Sequence, residues 1–91
     1  MTEVEFDDQA HETLVALYDS DPGLADAVDA IADAIERDPG AAEVRRHLIR
    51  PGKVFALRVR HPRGQDDYML LWSLENEVPT VLHIGPNTLL A

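Results

Sequence analysis

Residues 54–74 read VFALRVRHPRGQDDYMLLWSL, two apolar runs joined by a polar loop that contains proline and glycine. The first run alternates between two faces, as half-buried strands do. The apolar face carries Phe55, Leu57 and Val59, and the other face carries Ala56, Arg58 and Arg60. The second run, residues 67–74, is apolar on both faces, which predicts a central strand. The stretch therefore predicts two neighbouring strands of an antiparallel sheet.

Residues 78–84 predict a third strand of the same antiparallel meander. Strict alternation would give one face with Thr80, Leu82 and Ile84 and another face with Val81 and His83. Pro79 fits this strand only near its start or on a sheet edge, because proline cannot donate a hydrogen bond to the ladder. Residues 75–77 predict the hairpin turn between the second and third strands.

Upstream of the meander, the sequence predicts a helical hairpin. Residues 9–18 place apolar side chains at helical spacing. Asp21 is a natural N-cap and Pro22 a natural first residue for a second helix, which continues to about residue 37. The Asp-Pro-Gly sequence at residues 38–40 ends that helix. Its continuous apolar stripe consists of Leu24, Val28, Ile31 and Ile35.

Short strands complete the predicted fold. Residues 4–6 alternate as a first strand, and another short strand is expected near residues 47–49. The main order of elements is β-α-α-β-β-β, which predicts an α+β fold in a single domain of residues 1–91. The helical hairpin is expected on one face of an antiparallel sheet, and the other face is expected to carry Arg58, Arg60 and His83.

Charge is distributed unevenly along the chain. Residues 1–43 carry 13 carboxylates and one base, Arg37, whereas residues 44–65 carry seven of the eight bases and no carboxylate. The net charge of −9 argues against indiscriminate nucleic-acid binding by the whole surface. It remains compatible with a local basic patch.

Composition narrows the compartment and the chemistry. The chain has no cysteine, so neither a disulfide framework nor thiolate chemistry is expected. The acidic N-terminus lacks the features of a signal peptide, and the longest apolar run, residues 69–72, is too short to span a bilayer. We therefore expect a cytoplasmic protein without a membrane partner. No cofactor motif is present, and His61, Asp66 and Asp67 are interpreted as a polar loop rather than a metal site.

Several local motifs accompany this order of elements. The helical hairpin ends in RDP at residues 37–39, and a loop with Leu48 leads to an FALRV strand at residues 55–59. The central strand begins with the aromatic Tyr68, and the last strand has a VLHIG pattern at residues 81–85. In these features the chain resembles the RelE/ParE toxin superfamily over most of its length.

The resemblance implies a toxin that is held by an antitoxin. One branch of the family cleaves mRNA in the ribosome through a cluster of lysines and arginines on the exposed sheet face, and another branch poisons DNA gyrase. Lys53, Arg58 and Arg60 match the basic cluster in place and type. Met69 stands where many members have an arginine, and Pro-Asn at residues 86–87 stands where members usually have Arg or His-Arg.

These departures argue against an intact nuclease site, so the first hypothesis is a toxin-like component that binds a protein partner rather than an active ribosome-dependent mRNA endonuclease. The alternative is a non-enzymatic binding or regulatory module that kept the fold and lost toxin activity, and the departures favour this alternative. The neighbouring reading frame distinguishes the two, since a toxin is expected beside a small antitoxin-like protein.

The residues themselves allow a catalytic interpretation and two simpler ones. RNA cleavage needs a base, an acid and cations that stabilise the developing phosphorane charge. Arg58 and Arg60 could supply the cations, and His83 or His61 could act as the acid or base. Alternatively, the alternate arginines form a solvated face or pair with helix carboxylates, or they form a partner-binding basic face.

Met69 and Leu71 are expected to lie exposed beside Arg58 and Arg60, because the sequence shows no C-terminal helix to cover this side of the sheet. An apolar patch rimmed by basic residues is typical of a binding surface. The predicted partner-binding residues are Lys53, Arg58, Arg60, Arg63, Met69 and Leu71. The expected occupant is an amphipathic acidic segment of an antitoxin-like protein, or a second copy of the chain, with ribosome, mRNA or gyrase as further candidates.

Overall fold

The computed structural model describes residues 3–41, 44, 45, 47–50, 54–64, 66–74 and 78–87, and of residues 47–50 the backbone alone. The strands are β1 (Glu5–Phe6), β2 (His47–Arg50), β3 (Val54–Val59), β4 (Tyr68–Ser73) and β5 (Thr80–Pro86). The helices are α1 (Asp8–Ser20) and α2 (Pro22–Arg37). The predicted α+β class is confirmed, and β2 occupies the place of the short strand expected near residues 47–49. The predicted turn at residues 75–77 lies outside the described residues.

Both helices begin at an aspartate whose side chain caps the first turn. Oδ1 of Asp7 accepts the N–H of Ala10 at 3.2 Å, and Oδ1 of Asp21 accepts the N–H of Leu24 at 3.3 Å. Pro22 occupies the first turn of α2, where the N–H that proline lacks is not needed. The predicted start of α2 is therefore confirmed, and local capping chemistry explains it.

The five strands form one sheet in the order β1-β5-β4-β3-β2. Each pair from β2 to β5 is antiparallel, which confirms the predicted meander. β1 instead pairs in parallel with β5, with Glu5 opposite Thr80 and Phe6 opposite Val81. The sheet is therefore mixed, and the prediction of a wholly antiparallel sheet is wrong. β1 is only 2 residues long, and its alternation gives no indication of whether the partner strand runs parallel or antiparallel to it.

A bulge in β5 changes the predicted faces of that strand. Leu71 lies opposite His83, whereas the next residue, Trp72, lies opposite Val81, so Leu82 is an extra residue on β5. Val81 consequently points toward the helices and is fully buried in the core. The prediction that Val81 shares a face with His83 is therefore wrong, because strict alternation ends where a residue is inserted.

The hydrophobic core lies between the helical hairpin and one face of the sheet. Its members include Ala10, Leu14, Leu17, Leu24, Ala25, Val28, Ile35, Phe55, Leu57, Val59, Leu70, Trp72, Val81 and Ile84. Ile31, predicted in the apolar stripe of α2, is half-buried against this cluster. The core therefore confirms the predicted packing of the hairpin against the apolar face of β3, and it leaves the opposite face of the sheet for other contacts.

Trp72 joins the segment after α2 to the sheet. Its indole N–H donates to the carbonyl of Val44 at 2.7 Å, and its ring centroid lies 4.9 Å from that of Phe55. The guanidinium of Arg45 lies 5.4 Å from the centroid of the Phe55 ring, and its Nε donates to the carbonyl of Pro39 at 2.6 Å. These contacts hold the segment that enters the basic half of the chain against the core.

Candidate functional site

The sheet face that points away from the helices carries four of the predicted site residues, and we refer to it as the second face. Register and alternation place on it Ala56, Arg58, Met69, Leu71, His83 and Gly85. Arg58 lies opposite Met69, which lies opposite Gly85, so these residues form one row across three strands. The neighbouring row consists of Ala56, Leu71 and His83. Arg58 and His83 therefore share a face, as the sequence predicts.

The apolar part of the second face is less exposed than expected. Met69 is only 5 % exposed, whereas Leu71 is half-buried. Met69 lies between Arg58 on β3 and Gly85 on β5, and the ring of His83 lies over that glycine. The prediction that Met69 is exposed is therefore wrong, because its cross-strand neighbours shield it. Leu71 keeps part of its side chain accessible.

The ring of His83 explains why glycine occupies position 85. A Cβ atom at this position would lie 2.7 Å from Nε2 and 3.2 Å from Cε1 of His83. The shorter distance is well below van der Waals contact, so a larger residue at position 85 requires the ring to move. His83 is a half-buried group at the β5 side of the second face.

Arg58 is an accessible cation that already has a carboxylate neighbour. Its side chain is 33 % exposed, and its Nε lies 3.3 Å from Oδ2 of Asp67. Arg60 and Arg63 are exposed, and both belong to the connection from β3 to β4. Lys53, the remaining predicted cation of this group, lies outside the described residues. The structure therefore places one predicted arginine on the second face and two in the loop beside it.

His61 is buried and uses both of its ring nitrogens. Its side chain is 3 % exposed, and Nε2 lies 2.6 Å from Oδ2 of Asp21. The backbone N–H of Arg63 donates to Nδ1 at 3.1 Å. Because Nδ1 accepts a hydrogen bond, the proton of the neutral imidazole lies on Nε2 and is donated to the carboxylate. This arrangement gives His61 a structural role and leaves it poorly suited to act as a general acid or base.

Two aspartates extend the contacts of His61 in opposite directions. Oδ1 of Asp67 accepts the backbone N–H of His61 at 3.1 Å, while its Oδ2 pairs with Arg58. Asp21 accepts the His61 ring on Oδ2 and the N–H of Leu24 on Oδ1. A continuous series of polar contacts therefore runs from the second face to the start of α2, and we call Arg58, Asp67, His61 and Asp21 the polar chain.

The pKa of Asp21 is lowered from its ordinary value of 3.8. The hydrogen bond from His61 is the largest cause, and the hydrogen bond from the N–H of Leu24 and the charge of Arg63 act in the same direction. Desolvation opposes these contributions without reversing them. The carboxylate therefore remains ionised, and remains an acceptor for the His61 ring, to a lower pH than an isolated aspartate.

An open pocket of about 470 Å³ lies beside the polar chain. Its lining consists of Asp21, Leu24, His61, Asp66 and Tyr68. In the ranges that the structure describes, no three histidine, aspartate or glutamate side chains are placed to hold a metal ion. The two candidate histidines lie in different parts of the fold. His61 lies in the loop after β3 and contacts the start of α2, whereas His83 is on β5 and its ring lies over Gly85.

Asp21 and Asp67 are the site residues that sequence reasoning missed. The sequence assigns Asp21 only to a helix cap and Asp67 only to a polar loop or strand start. The hairpin register contains a signal for Asp67, because it directly precedes the strand that pairs with the one bearing Arg58. No local signal connects Asp21 with His61, since 40 positions separate them along the chain.

Neither α1 nor α2 is long and apolar enough to cross a membrane, and the same holds for the whole described part of the chain. Comparison with known protein-family models, curated proteins and solved structures finds no significant match to this sequence.

Proposed function

We propose that this protein is a toxin-like member of a toxin–antitoxin pair that binds a protein partner through the second face of its sheet. The observation that carries the proposal is the composition of this face, which holds the partly exposed Arg58 and the half-buried Leu71 and His83 while both helices pack on the opposite side. A surface with accessible apolar and cationic groups suits a protein interface. The motif resemblance to the RelE/ParE superfamily supplies the biological context.

The expected partner segment is amphipathic and acidic. Residues 44–65 hold seven of the eight bases and no carboxylate, and Arg60 and Arg63 are exposed in the connection from β3 to β4. Carboxylates of the partner can pair with these arginines, while an apolar side chain covers Leu71. Charged contacts at the rim mainly govern association rate and selectivity, whereas burial of the apolar centre contributes more to affinity.

The environment of the candidate catalytic groups favours partner binding over RNA cleavage. Both ring nitrogens of His61 are hydrogen-bonded, and Nε of Arg58 is paired with Asp67. A nuclease site needs a titrating group that can reach the 2′-hydroxyl of the substrate. His83 is the remaining candidate on the second face, and its ring packs over Gly85.

Induced expression in a host cell that lacks the partner tests the proposal. Expression of the wild-type protein should arrest growth, and Arg58→Ala should relieve the arrest at equal soluble protein levels. Arg37→Ala is the matched control, because it removes an exposed arginine at the end of α2, the helix that packs on the opposite side of the sheet. Normal growth with verified soluble wild-type protein would contradict the assignment as a toxin.

The second candidate is a binding or regulatory module without toxicity. The pairing of Arg58 with Asp67 favours this function, because it engages a cation that a nuclease would direct at phosphate. Such a module should bind an acidic protein partner through the second face without arresting growth. Loss of that complex at high salt would assign the binding to the arginines, and persistence would assign it to Leu71 and its apolar neighbours.

A further inference from the structure

The loop that follows β3 is fastened to the start of α2 by side-chain contacts. The His61 ring donates to Asp21 at 2.6 Å, and the ring of Pro62 packs close to Gly23, where a Cβ atom would lie 3.2 Å from its Cγ. Within the loop, the N–H of Gly64 donates to the carbonyl of His61 at 3.1 Å. The course of the backbone from residue 61 to residue 64 therefore depends on the position of the buried His61 imidazole.

His61 also affects the second face through its backbone N–H. Asp67 accepts the N–H of His61 with one oxygen and contacts Arg58 with the other. If the ring left Asp21, the backbone of His61 would move away from Asp67, and the carboxylate would lose the hydrogen bond that fixes its orientation. The direction of the Arg58 guanidinium would then be less constrained.

We infer that His61 is a positioning residue for the partner-binding surface: its contact with Asp21 sets the orientation of Arg58, through Asp67, and the course of the loop that bears Arg63. This inference rests on the proposed function where it concerns the partner. Its structural part concerns the polar chain alone. Burial favours such a role over direct contact with a ligand, because only 3 % of the His61 side chain is accessible.

The choice of substitutions separates the two contacts of the ring. In His61→Gln the terminal amide nitrogen can occupy the place of Nε2 and donate to Asp21. In His61→Asn the shorter side chain can present an oxygen near the place of Nδ1, where it accepts the Arg63 N–H but does not reach Asp21. His61→Ala removes both contacts. His11→Ala is the matched control, because His11 is an exposed histidine on α1.

Nuclear magnetic resonance of the full chain tests the structural part. The nitrogen shifts of His61 at neutral pH should report the tautomer with the proton on Nε2. Hydrogen exchange of the Arg63 amide should accelerate about tenfold or more in His61→Ala, since one hydrogen bond is lost. The resonance of the Arg58 Nε–H should move in His61→Ala and His61→Asn, remain near its wild-type position in His61→Gln, and be unaffected in His11→Ala.

Growth arrest tests the functional part. His61→Ala and His61→Asn should weaken arrest as Arg58→Ala does, and His61→Gln should restore it. If wild type and His61→Ala arrest growth equally while Arg58→Ala does not, the positioning role is refuted and the proposed function stands. If the wild type does not arrest growth, the proposed toxin function fails. Independently of growth, an Arg58 resonance that stays at its wild-type position in all His61 variants would refute the positioning role of His61.

His61→Ala removes a buried side chain, so its effect could reflect unfolding. Asp67→Asn provides a second route, because the amide oxygen can still accept the His61 N–H while the charge beside Arg58 is lost. This variant should displace the Arg58 Nε–H resonance and leave exchange of the Arg63 amide near wild type. Unchanged Arg58 resonances in folded Asp67→Asn would exclude transmission through Asp67.

Discussion

The substitution Trp72→Phe tests how the segment after α2 is held to the core. Trp72 is fully buried, and its indole N–H donates to the carbonyl of Val44 at 2.7 Å. Phenylalanine keeps an aromatic ring beside Phe55, whose centroid lies 4.9 Å from that of the indole. It removes the donor and leaves a buried carbonyl without its partner, since Val44 is itself only 5 % exposed.

The expected cost has two parts. A buried carbonyl deprived of its hydrogen bond costs about 1–3 kcal/mol. The phenyl ring has two carbons fewer than the indole, and their lost burial adds about 1.6 kcal/mol at about 0.8 kcal/mol for each carbon. The free energy of unfolding should therefore fall by about 3–5 kcal/mol, a large share of the roughly 5–15 kcal/mol that stabilises a typical domain.

Urea unfolding followed by far-ultraviolet circular dichroism measures this change, because the substitution removes the only tryptophan and its fluorescence. Val15→Ala is the control, since Val15 is 53 % exposed and its truncation should change the free energy by less than about 0.5 kcal/mol. A loss below about 1 kcal/mol for Trp72→Phe, with an unchanged denaturant slope, would refute the role assigned to the indole hydrogen bond.

Three further predictions concern pH dependence and a loop. The hydrogen bond from Tyr18 to Asp29 raises the pKa of the phenol above its ordinary value of 10.0. The stabilisation from this hydrogen bond should therefore be complete below pH 10.0 and be lost as the pH rises through the pKa of the folded state. Tyr18→Phe should flatten the alkaline fall in the free energy of unfolding. The lowered pKa of Asp21 gives the opposite dependence on pH. The contribution of the ionised carboxylate to stability is complete above pH 3.8 and is lost as the pH falls through the pKa of the folded state. Asp21→Asn should therefore be less stable than wild type at about pH 6, and the two stabilities should converge in strong acid. Gly64 has a φ of 74°, and among the described residues no atom lies within 4 Å of the place where its Cβ would be. Gly64→Ala should therefore cost about 1 kcal/mol through backbone strain alone and lower the melting temperature by about 5 °C. An unchanged melting temperature would contradict this.

The parts of the fold that the sequence predicts correctly depend on local chemistry. The boundary between α1 and α2 follows from Asp21 and Pro22, which act within a single turn. The apolar face of β3 follows from alternation alone. The parallel pairing of β1 with β5 could not be predicted in this way, because it joins residues near opposite ends of the chain. The bulge at Leu82 likewise depends on the register of β4 and carries no signal in its own side chain.

The site shows the same division between local and distant causes. Alternation correctly places Arg58 and His83 on one face. The burial of Met69 could not be deduced from alternation, because it depends on the neighbours that strand register brings beside this residue. The role of His61 escaped prediction for a different reason, since a histidine in a glycine-containing loop resembles a solvated group until its carboxylate partner at the start of α2 is known.

The pairing of β1 with β5 also bears on the order in which the chain assembles. Glu5 donates its N–H to Pro79 and Asp7 donates its N–H to Val81, each at 2.9 Å, so this contact closes almost the entire chain into one loop. Closing a loop of this length costs about 4 kcal/mol of chain entropy if it forms first. The helical hairpin and the β3–β4 hairpin need far shorter closures. Folding should therefore begin in these local units and finish when β1 docks, and exchange at Glu5 and Asp7 should report the earliest opening of the native state.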